Sequence, residues 1–418
     1  MSERVRLHGM AYGGAAVGRL EDGAAVFVQG GLAGELVDLE LIERKKNFAR
    51  GRLIEVLEPA PGRIEPPCPH FLEGCGGCQW QHATYAAQLA YKQAILADQL
   101  RRMGGIADPP LQEPLPSALS FGYRNTAEFH LADRRFGFHR EGSHELVDVA
   151  DCPLVEAPIN AALGVLRRSR SKLAGISSVQ VRNGTDTLGL AFISAEDPRA
   201  YKLLAGELAP ELEAAAGKPI RVAGVRAGSD RMRGLYGEPR VHMSLGGRSF
   251  RVSALSFFQV NSGVAEALTE MVALQFKPGD RVLDLFSGVG TFALLAAEQA
   301  DDVVGVEAHP SAMADAAANA AEAGAENARF IPGDVASAVD LAAESWDLAI
   351  LDPPRAGCPS KVLDALNAQR VVYVSCDPST LARDLKLLLS RGFTLASVQL
   401  LDMFPQTYHI EAISVLTR

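Results

Sequence analysis

Between residues 281 and 351 the sequence alternates between apolar strand-like runs and alanine-rich helical segments. The strand candidates are 281–286, 303–307, 328–331 and 348–351, and the helix candidates between them are 291–299 and 310–323. Parallel strands need a crossover of a dozen or more residues, which is usually a helix. The alternation therefore predicts an α/β fold, in which a doubly wound sheet carries helices on both faces.

A glycine-containing turn, residues 287–290, follows the first of these strands, and Glu307 ends the next strand 23 positions after Asp284. A glycine turn with an acidic residue after the second strand is also typical of NAD sites. This turn lacks the third glycine that packs helix against strand near a pyrophosphate. S-adenosylmethionine has no phosphates, and it needs close backbone approach and a carboxylate for its ribose hydroxyls. The presence of Gly288, Gly290 and Glu307 together therefore favours S-adenosylmethionine.

Two apolar runs near the end of the chain adjoin reactive side chains. The run at 372–375 stops at Cys376, and the run at 412–416 begins directly after Glu411. The first run is typical of a buried parallel strand, and open α/β sheets bind ligands at the carboxyl ends of such strands. A thiol and a carboxylate at neighbouring strand ends suit covalent catalysis, with Cys376 as nucleophile and Glu411 as general base. Single cysteines in apolar strands are more often core residues, so Cys376 alone does not establish this chemistry.

Four of the six cysteines form a separate pattern, and they are Cys68, Cys75, Cys78 and Cys152. The glycines within the Cys-x-x-Cys at 75–78 let the backbone fold tightly enough for two thiolates to reach one metal centre. Three clustered thiols and one distant thiol fit an iron–sulfur cluster or a structural zinc site. The proline after Cys152 and the lack of a second Cys-x-x-Cys favour the cluster. Cys358 is predicted to be a free thiol.

The length of 418 residues predicts two or three domains. Residues 1–58 are predicted to form a small OB-type β-barrel, because short apolar or alternating runs are separated by glycine-rich turns. Residues 59–255 are predicted to form a central α+β domain that holds the four cysteines and an antiparallel sheet. A helix near 84–103 is a candidate to pack on the third domain, which comprises residues 256–418.

Composition and charge describe a globular chain with an uneven charge distribution. Hydrophobic residues make up 48% and charged residues 22% of the sequence, and the net charge is −9. Residues 151–255 hold 15 basic and 10 acidic side chains, whereas residues 256–418 hold 10 and 21. The middle of the chain is therefore the candidate polyanion surface. No signal peptide or membrane span is evident, so a cytoplasmic location without membrane contact is expected.

Five ordered motifs together resemble the RNA uracil-C5 methyltransferase family. They are FFQVN at 257–261, DLFSGVGTF at 284–292, DPPRAG at 352–357, VSCDP at 374–378 and FPQTYHIE at 404–411. With the barrel-like start and the four cysteines, the chain resembles the ribosomal-RNA branch of that family. That branch carries an amino-terminal TRAM domain and a [4Fe–4S] cluster, unlike the transfer-RNA branch. The resemblance covers nearly the whole chain.

The resemblance implies a role for each site residue. It implies that S-adenosyl-L-methionine is surrounded by Gln259, Phe286, Thr291, Glu307, Asp334 and Asp352, to which the glycine turn adds Gly288 and Gly290. It also implies that Cys376 is the nucleophile and that Glu411 is the general base. Asp352, which follows a strand end beside both ligands, is expected to orient the base or the sulfonium. Cys68, Cys75, Cys78 and Cys152 would hold the cluster. The chain departs from the family in having Thr291 where asparagine is common, and in a Cys68–Cys75 gap that is one residue longer.

The expected function is methyl transfer from S-adenosylmethionine to C5 of a uridine in large-subunit (23S) ribosomal RNA. The same chemistry on transfer RNA is an alternative. A non-catalytic iron–sulfur protein that binds RNA is a second alternative, from a different functional class. An iron–sulfur electron carrier is disfavoured, because the chain also has a complete catalytic set. No obligate protein partner is evident, and a monomer is expected.

Overall fold

Five strands at the amino terminus close into a small barrel in the computed structural model, which describes residues 2–418. The strands are β1 (Ser2–Met10), β2 (Ala16–Arg19), β3 (Ala25–Gln29), β4 (Leu36–Arg44) and β5 (Phe48–Glu58). Their order is β1-β2-β3-β5-β4, and alternate side chains such as Val26, Val28 and Leu39 fill the barrel. The predicted amino-terminal barrel is confirmed.

Two helices follow the barrel, the short α1 (Pro69–Leu72) and the long α2 (Tyr85–Arg102). Thr84 caps α2, because its hydroxyl oxygen accepts a hydrogen bond from the Ala87 amide at 3.4 Å. The helix buries Ile95, Leu96 and Leu100 on one face. This is the apolar periodicity from which a helix over residues 84–103 is predicted.

A seven-stranded sheet covered by two helices forms the central region. Its elements are β6 (Thr126–Ala132), β7 (Arg135–His139), β8 (Leu146–Asp148), α3 (Ala157–Arg168), β9 (Ile176–Asn183), β10 (Leu188–Ser194), α4 (Lys202–Ala216), β11 (Ile220–Arg226) and β12 (Met232–Tyr236). The strand order is β12-β11-β10-β9-β6-β7-β8. An antiparallel sheet was expected, but β10 and β11 are parallel. The reason is that α4 connects them as a crossover helix.

A two-stranded hairpin, β13 (Arg240–Leu245) and β14 (Arg248–Ser253), leads into the last region. Its buried side chains Val241, Met243 and Phe250 share a core with helix and strand residues of the carboxyl-terminal sheet. The hairpin thus packs with that sheet although it precedes position 256, where the third domain is predicted to begin.

The carboxyl-terminal region is a seven-stranded sheet flanked by helices. Its elements are α5 (Ser262–Ala273), β15 (Arg281–Leu285), α6 (Thr291–Ala296), β16 (Asp302–Glu307), α7 (Pro310–Ala323), β17 (Ala328–Pro332), α8 (Val339–Ala343), β18 (Trp346–Leu351), α9 (Ser360–Ala365), β19 (Ala368–Ser375), α10 (Pro378–Ser390), β20 (Thr394–Leu401) and β21 (Glu411–Thr417). Short 3₁₀ turns occupy Arg170–Lys172, Pro198–Tyr201 and Val335–Ser337.

The strand order of this sheet is β17-β16-β15-β18-β19-β21-β20. Strands β15 to β19 are mutually parallel, and β21 runs antiparallel between β19 and β20. The chain moves outward from β15 to β17 and then returns to β18 on the other side of β15. This reversal is a topological switch point, where open α/β sheets leave a crevice for a ligand. The predicted doubly wound sheet is confirmed.

The segment before the central sheet is built into the carboxyl-terminal sheet. Residues 110–115 run along the edge strand β20, where the Gln112 amide donates to the Val398 carbonyl at 2.8 Å. Helix α2 packs beside them, and Lys92 Nζ on this helix contacts Asp402 Oδ1 at 2.6 Å. Both side chains are fully buried. Among residues 2–418, no helix combines the length and the apolar character needed to cross a bilayer.

Lys92→Met is expected to destabilise the carboxyl-terminal core by about 3–5 kcal/mol, because it leaves the buried Asp402 carboxylate without its partner. Tryptophan fluorescence during urea unfolding measures this directly, since Trp80 and Trp346 both lie in that core. The double variant Lys92→Met/Asp402→Leu is expected to recover most of the loss. The exposed Arg4–Asp38 pair of the barrel provides the control, and Arg4→Ala should leave the unfolding midpoint nearly unchanged. An unaltered midpoint for Lys92→Met would contradict the prediction.

Candidate active site

A cavity of about 1090 Å³ lies at the carboxyl ends of the parallel strands and extends to the central sheet. Thirteen of the fourteen predicted site residues line it. They are Cys68, Cys75, Cys78, Cys152, Gln259, Phe286, Gly288, Thr291, Glu307, Asp334, Asp352, Cys376 and Glu411. The predicted cofactor residues, the predicted catalytic residues and the four cysteines therefore face one continuous space, although they are scattered over 344 positions of the sequence (411 minus 68, plus one).

The antiparallel insertion of β21 brings Cys376 and Glu411 together. Ser375, the last residue of β19, pairs with Ala412, so the next pair in this register is Cys376 and Glu411. Directly opposed residues of an antiparallel pair have Cα atoms roughly 4.5–5.5 Å apart. Cys376 is half-buried, whereas Glu411 is only 3% exposed. A thiol and a carboxylate thus share one end of the cavity.

The surroundings of these two groups oppose negative charge. Burial raises the pKa of Cys376 to about 12, and the carboxylates of Glu411 and Asp352 add to the rise, while Arg355 opposes it. Burial also raises the pKa of Glu411 well above its ordinary range, with a further contribution from Asp352. Burial raises the pKa of Asp352 itself to about 7. A positively charged ligand between these groups would favour their ionised forms.

The turn after β15 has an unusual backbone at the place where a ligand would approach. Phe286 has a φ of +69° although it is not glycine, and Gly288 has a φ of +56°. Glu307 braces the turn from β16, because its Oε2 accepts a hydrogen bond from the Gly288 amide at 2.9 Å. Its Oε1 accepts a second bond from the His309 amide at 2.6 Å. Backbone strain of this kind concentrates at ligand sites.

Gly290 is the one predicted cofactor residue that does not line the cavity. It is the amino-terminal cap of α6 and has a φ of +87°. A Cβ atom at this position would lie 2.9 Å from the Phe330 ring. Its glycine character is thus explained by helix capping and by close packing against Phe330 of β17.

The other predicted cofactor residues lie around the same turn. Thr291 is the first residue of α6, and Gln259 lies in the loop before α5, where its carbonyl accepts a hydrogen bond from Asn125 at 3.0 Å. Asp334 caps a 3₁₀ turn through a bond from the Ala336 amide at 2.9 Å. Their side chains come from three separate loops at one end of the sheet.

Asp284 was not predicted to influence the site; it is an acid inside the apolar strand β15 that lies beneath the site and does not line the cavity. It is completely buried, and its Oδ2 accepts a hydrogen bond from the Ala293 amide at 3.0 Å. Its Oδ1 has no partner among the described residues. Burial raises the pKa of Asp284 well above the usual range, and the nearby Asp352 and Glu307 contribute. A charged residue within a buried strand was the signal that could have revealed it.

The barrel also reaches this site, through Tyr12. The Tyr12 hydroxyl donates to Asp377 Oδ2 at 3.0 Å, and its ring packs edge-on against Tyr408. Asp377 follows Cys376 directly, and its Oδ1 accepts bonds from the Ser379 and Thr380 amides at the start of α10. One carboxylate therefore joins the barrel to the loop that carries Cys376. The sequence offered no signal for this contact.

The four cysteines lie at the central-sheet end of the cavity. Burial raises the pKa of Cys78, and the neighbouring thiols of Cys152, Cys75 and Cys68 contribute. Burial also raises the pKa of Cys152 to about 11, while hydrogen bonds from the amides of Leu154 and Val155 oppose the rise. Among residues 2–418, no group of three or more histidine, cysteine or acidic side chains has the arrangement of a site for a single metal ion.

Asp352→Asn is expected to stabilise the ligand-free protein at pH 8 by about 1–2 kcal/mol, after allowance for solvent around the half-buried side chain. An unfolded aspartate ionises near pH 4, whereas the pKa of Asp352 is about 7 in the folded chain. Its ionisation therefore opposes folding fully above pH 7, and the opposition disappears as the pH falls to 4.

Thermal unfolding of the protein and of Asp352→Asn at pH 8 and at pH 4.5 measures this difference. The exposed Asp186 provides a matched control, since Asp186→Asn should leave the melting temperature unchanged at both pH values. An Asp352→Asn protein that melts below the unsubstituted chain at pH 8 would contradict the expectation.

Comparison with known proteins gives the family. The family model described as tRNA (Uracil-5-)-methyltransferase matches residues 240–418, and the TRAM domain model matches residues 3–54. An uncharacterized RNA methyltransferase of Gloeobacter violaceus is 34% identical, over 99% of this chain and 96% of the relative. The 23S rRNA (uracil(1939)-C(5))-methyltransferase RlmD of Aeromonas hydrophila is 35% identical, over 96% of this chain and 93% of that protein.

A solved structure shows the same overall architecture. The Pyrococcus abyssi tRNA (uracil-54, C5)-methyltransferase, in complex with S-adenosyl-L-homocysteine, superimposes with a TM-score of 0.78 and 25% sequence identity. The match covers 99% of both chains. The non-catalytic alternative is set aside, because the matched family and the named relatives are enzymes. The chain belongs to the RNA uracil-5-methyltransferase family, and it is an S-adenosylmethionine-dependent RNA methyltransferase.

Proposed function

We propose that this enzyme transfers a methyl group from S-adenosylmethionine to C5 of a uridine in large-subunit ribosomal RNA. The observation that carries the proposal is the pairing register of β19 and β21, which sets Cys376 opposite Glu411 in the cavity. The substrate assignment is supported by the RlmD relative, whose name specifies uracil in 23S rRNA. It is also supported by the amino-terminal TRAM domain and by the four cysteines.

The two groups have complementary tasks in this scheme. The sulfur of Cys376, as a thiolate, adds to C6 of the uracil ring, and the ring becomes an enolate that is electron-rich at C5. After C5 is methylated, the Glu411 carboxylate removes the C5 hydrogen as a proton. The electron pair of that C–H bond restores the C5–C6 double bond, and the Cys376 thiolate leaves. Base and nucleophile must both reach one ring, so the uridine is unpaired or flipped out of a helix.

The cavity suits S-adenosylmethionine, which supplies an electrophilic methyl group on a sulfonium. The cofactor carries a positive charge at its sulfur, and Asp352 and Glu411 offer carboxyls that a cation would help to ionise. We assign binding to Gln259, Phe286, Gly288, Thr291, Glu307, Asp334 and Asp352. Glu307 is suited to the ribose hydroxyls because its carboxylate already lies against the glycine turn.

We further propose that Cys68, Cys75, Cys78 and Cys152 hold a [4Fe–4S] cluster. All four line one end of the cavity, and hydrogen bonds to sulfur, such as those at Cys152, are a feature by which proteins tune such clusters. The thiols of Cys68, Cys75 and Cys152 all lie close enough to Cys78 to disfavour its ionisation, and the four side chains would hold the cluster through their sulfur atoms. The methyl transfer requires no electron transfer, which favours a structural role that ties residues 68–78 to the central sheet.

A second candidate is the same chemistry on transfer RNA. It is favoured by the solved structure that matches the whole chain, since that enzyme acts on uracil-54 of tRNA. The ribosomal assignment is preferred because RlmD shares 35% identity with this chain.

Cys376→Ala is expected to abolish methylation, with a loss of at least about three orders of magnitude, because it removes the thiol that stands opposite Glu411. The measurement is transfer of labelled methyl groups to unmodified large-subunit rRNA, with unmodified tRNA in parallel. Label at C5 of uridine in the rRNA supports the proposal. Preferential labelling of tRNA would instead identify transfer RNA as the substrate. Cys358→Ala is the matched control, since Cys358 is a buried thiol outside the cavity.

RNA that contains 5-fluorouridine is expected to remain covalently attached to Cys376. Glu411 can remove a proton from C5 but cannot remove fluorine, so the final elimination is blocked. Gel mobility of the denatured complex detects the adduct, and Cys376→Ala should not form it. A methylating enzyme that forms no adduct would contradict the covalent scheme.

Substitution of any one cluster ligand, for example Cys78→Ser, is expected to remove the brown colour and most of the bound iron. Visible absorbance and iron analysis of anaerobically purified protein give the measurement. Cys358→Ser should keep a full complement of iron, which separates ligand loss from general damage. Stoichiometric zinc in the unsubstituted protein would show that the four cysteines form a zinc site and not an iron–sulfur cluster.

Tyr12→Phe is expected to lower kcat about five- to tenfold and to leave the KM for RNA unchanged. This loss corresponds to one hydrogen bond to a charged acceptor, here Asp377 beside the nucleophile. In a double-mutant cycle, Asp377→Asn should add little to Tyr12→Phe. Tyr236→Phe is the matched control, because the Tyr236 hydroxyl forms no hydrogen bond within residues 2–418. An effect on KM alone would indicate a role in RNA binding instead.

A further inference from the structure

A second concave surface, of about 1000 Å³, lies on the central sheet outside the active cavity. Five guanidinium groups line it, from Arg134, Arg135, Arg167, Arg168 and Arg170. We call it the arginine concavity. Its residues come from the turn between β6 and β7, from the end of α3 and from the 3₁₀ turn that follows α3. Asp133 is the only acidic side chain among the lining residues.

Three of these arginines have a role within the fold. Arg167 holds Asp148 through two hydrogen bonds of 2.9 and 2.8 Å. Arg168 pairs with Glu211 at 2.7 Å, and Arg135 pairs with Glu145 at 3.1 Å. Positive charge at the end of α3 is also favoured by the helix dipole. These three groups are therefore partly neutralised.

Arg134 and Arg170 form no such bonds, although the charge of Arg170 interacts favourably with Asp148. Within residues 2–418, neither side chain forms an ion pair or a hydrogen bond, and both are exposed. Arg134 also occupies a costly backbone position, because Asp133 and Arg134 form the tight turn with φ values of +50° and +64°. Glycine or asparagine is preferred at such positions. An arginine there brings no contact that stabilises the fold, which points to an external ligand.

The arginine concavity and the active cavity adjoin the same β6–β7 hairpin but share no lining residue. His130 and His139 of these strands line the active cavity, whereas Leu131 and Arg135 line the arginine concavity. Strand β6 ends at Ala132, and the turn that follows it carries Arg134. A polymeric substrate that fills the active cavity past His130 and His139 would therefore lie next to this turn.

We infer that the arginine concavity binds the phosphate backbone of the substrate RNA outside the active cavity. Arg134 and Arg170 make the new contacts, because their guanidinium forks are free to bind phosphate oxygens bidentately. None of the lining residues is aromatic, so the surface offers phosphate binding rather than base stacking. The inference rests on the proposed RNA substrate and extends it to a binding path outside the active site.

The test uses two transcripts centred on the methylated uridine, after that uridine has been mapped. The short one fills only the active cavity, and the long one extends by a full turn of flanking RNA on each side. Arg134→Gln/Arg170→Gln is expected to raise the KM of the long transcript about tenfold and to leave the short one unchanged. In equilibrium binding, the slope of log affinity against log salt for the long transcript should fall by about 2, one for each lost phosphate contact.

Arg231→Gln/Arg233→Gln is the matched control. These exposed arginines lie on or beside β12, at the opposite edge of the same sheet, and have no side-chain partner within residues 2–418. The control should change neither KM nor salt slope. An equal effect of both pairs, or no effect of the Arg134/Arg170 pair on the long transcript, would overturn the inference and leave the proposed function intact. If the unsubstituted enzyme methylates neither transcript, the proposed substrate fails and the inference fails with it.

Discussion

The position of the last strand decides the chemistry of this molecule. Strand β21 enters the parallel sheet in the opposite direction, next to β19. A parallel neighbour would bring another carboxyl end to the cavity, whereas an antiparallel neighbour brings the amino end of its strand. Glu411 is the first residue of β21, and Cys376 directly follows β19. Because the two strands run antiparallel, the base and the nucleophile lie opposite each other at the same end of the pair. A shift of β21 by one residue would turn the Glu411 side chain to the opposite face of the sheet, away from Cys376.

The same site concentrates buried acids without matching cations. Asp284, Asp352 and Glu411 all have raised pKa values, and burial is the first cause for each. Such a group of carboxyls opposes folding when it is ionised, and it is compensated only when a cation arrives. Binding of a sulfonium cofactor and the stability of the domain are therefore linked. The positive φ of Phe286 is a further local cost at the same place.

Much of this arrangement could be predicted from sequence, because strand ends and glycine turns are local features. Cys376 and Glu411 stand at the ends of apolar runs, and such runs identify strands and hence one edge of a sheet. Contacts between distant segments have no comparable signal in the sequence. Tyr12 and Asp377 are 365 positions apart, and no sequence pattern predicts their hydrogen bond. Gly290 shows the reverse case, since its motif suggested a cofactor contact and the chain uses it to pack against Phe330.

The path of the segment at residues 85–115 has a consequence for how the chain is made. Helix α2 and the strand-like residues 110–115 leave the ribosome early. They nevertheless pack against β20 and Asp402, which are synthesised much later; Asp402 follows Lys92 by 310 positions. The buried Lys92 must stay hydrated until that partner exists, because an unpaired ammonium is costly to bury. The barrel can thus fold early during synthesis, whereas the core that joins α2 to the carboxyl-terminal sheet can form only after the last strands have been made.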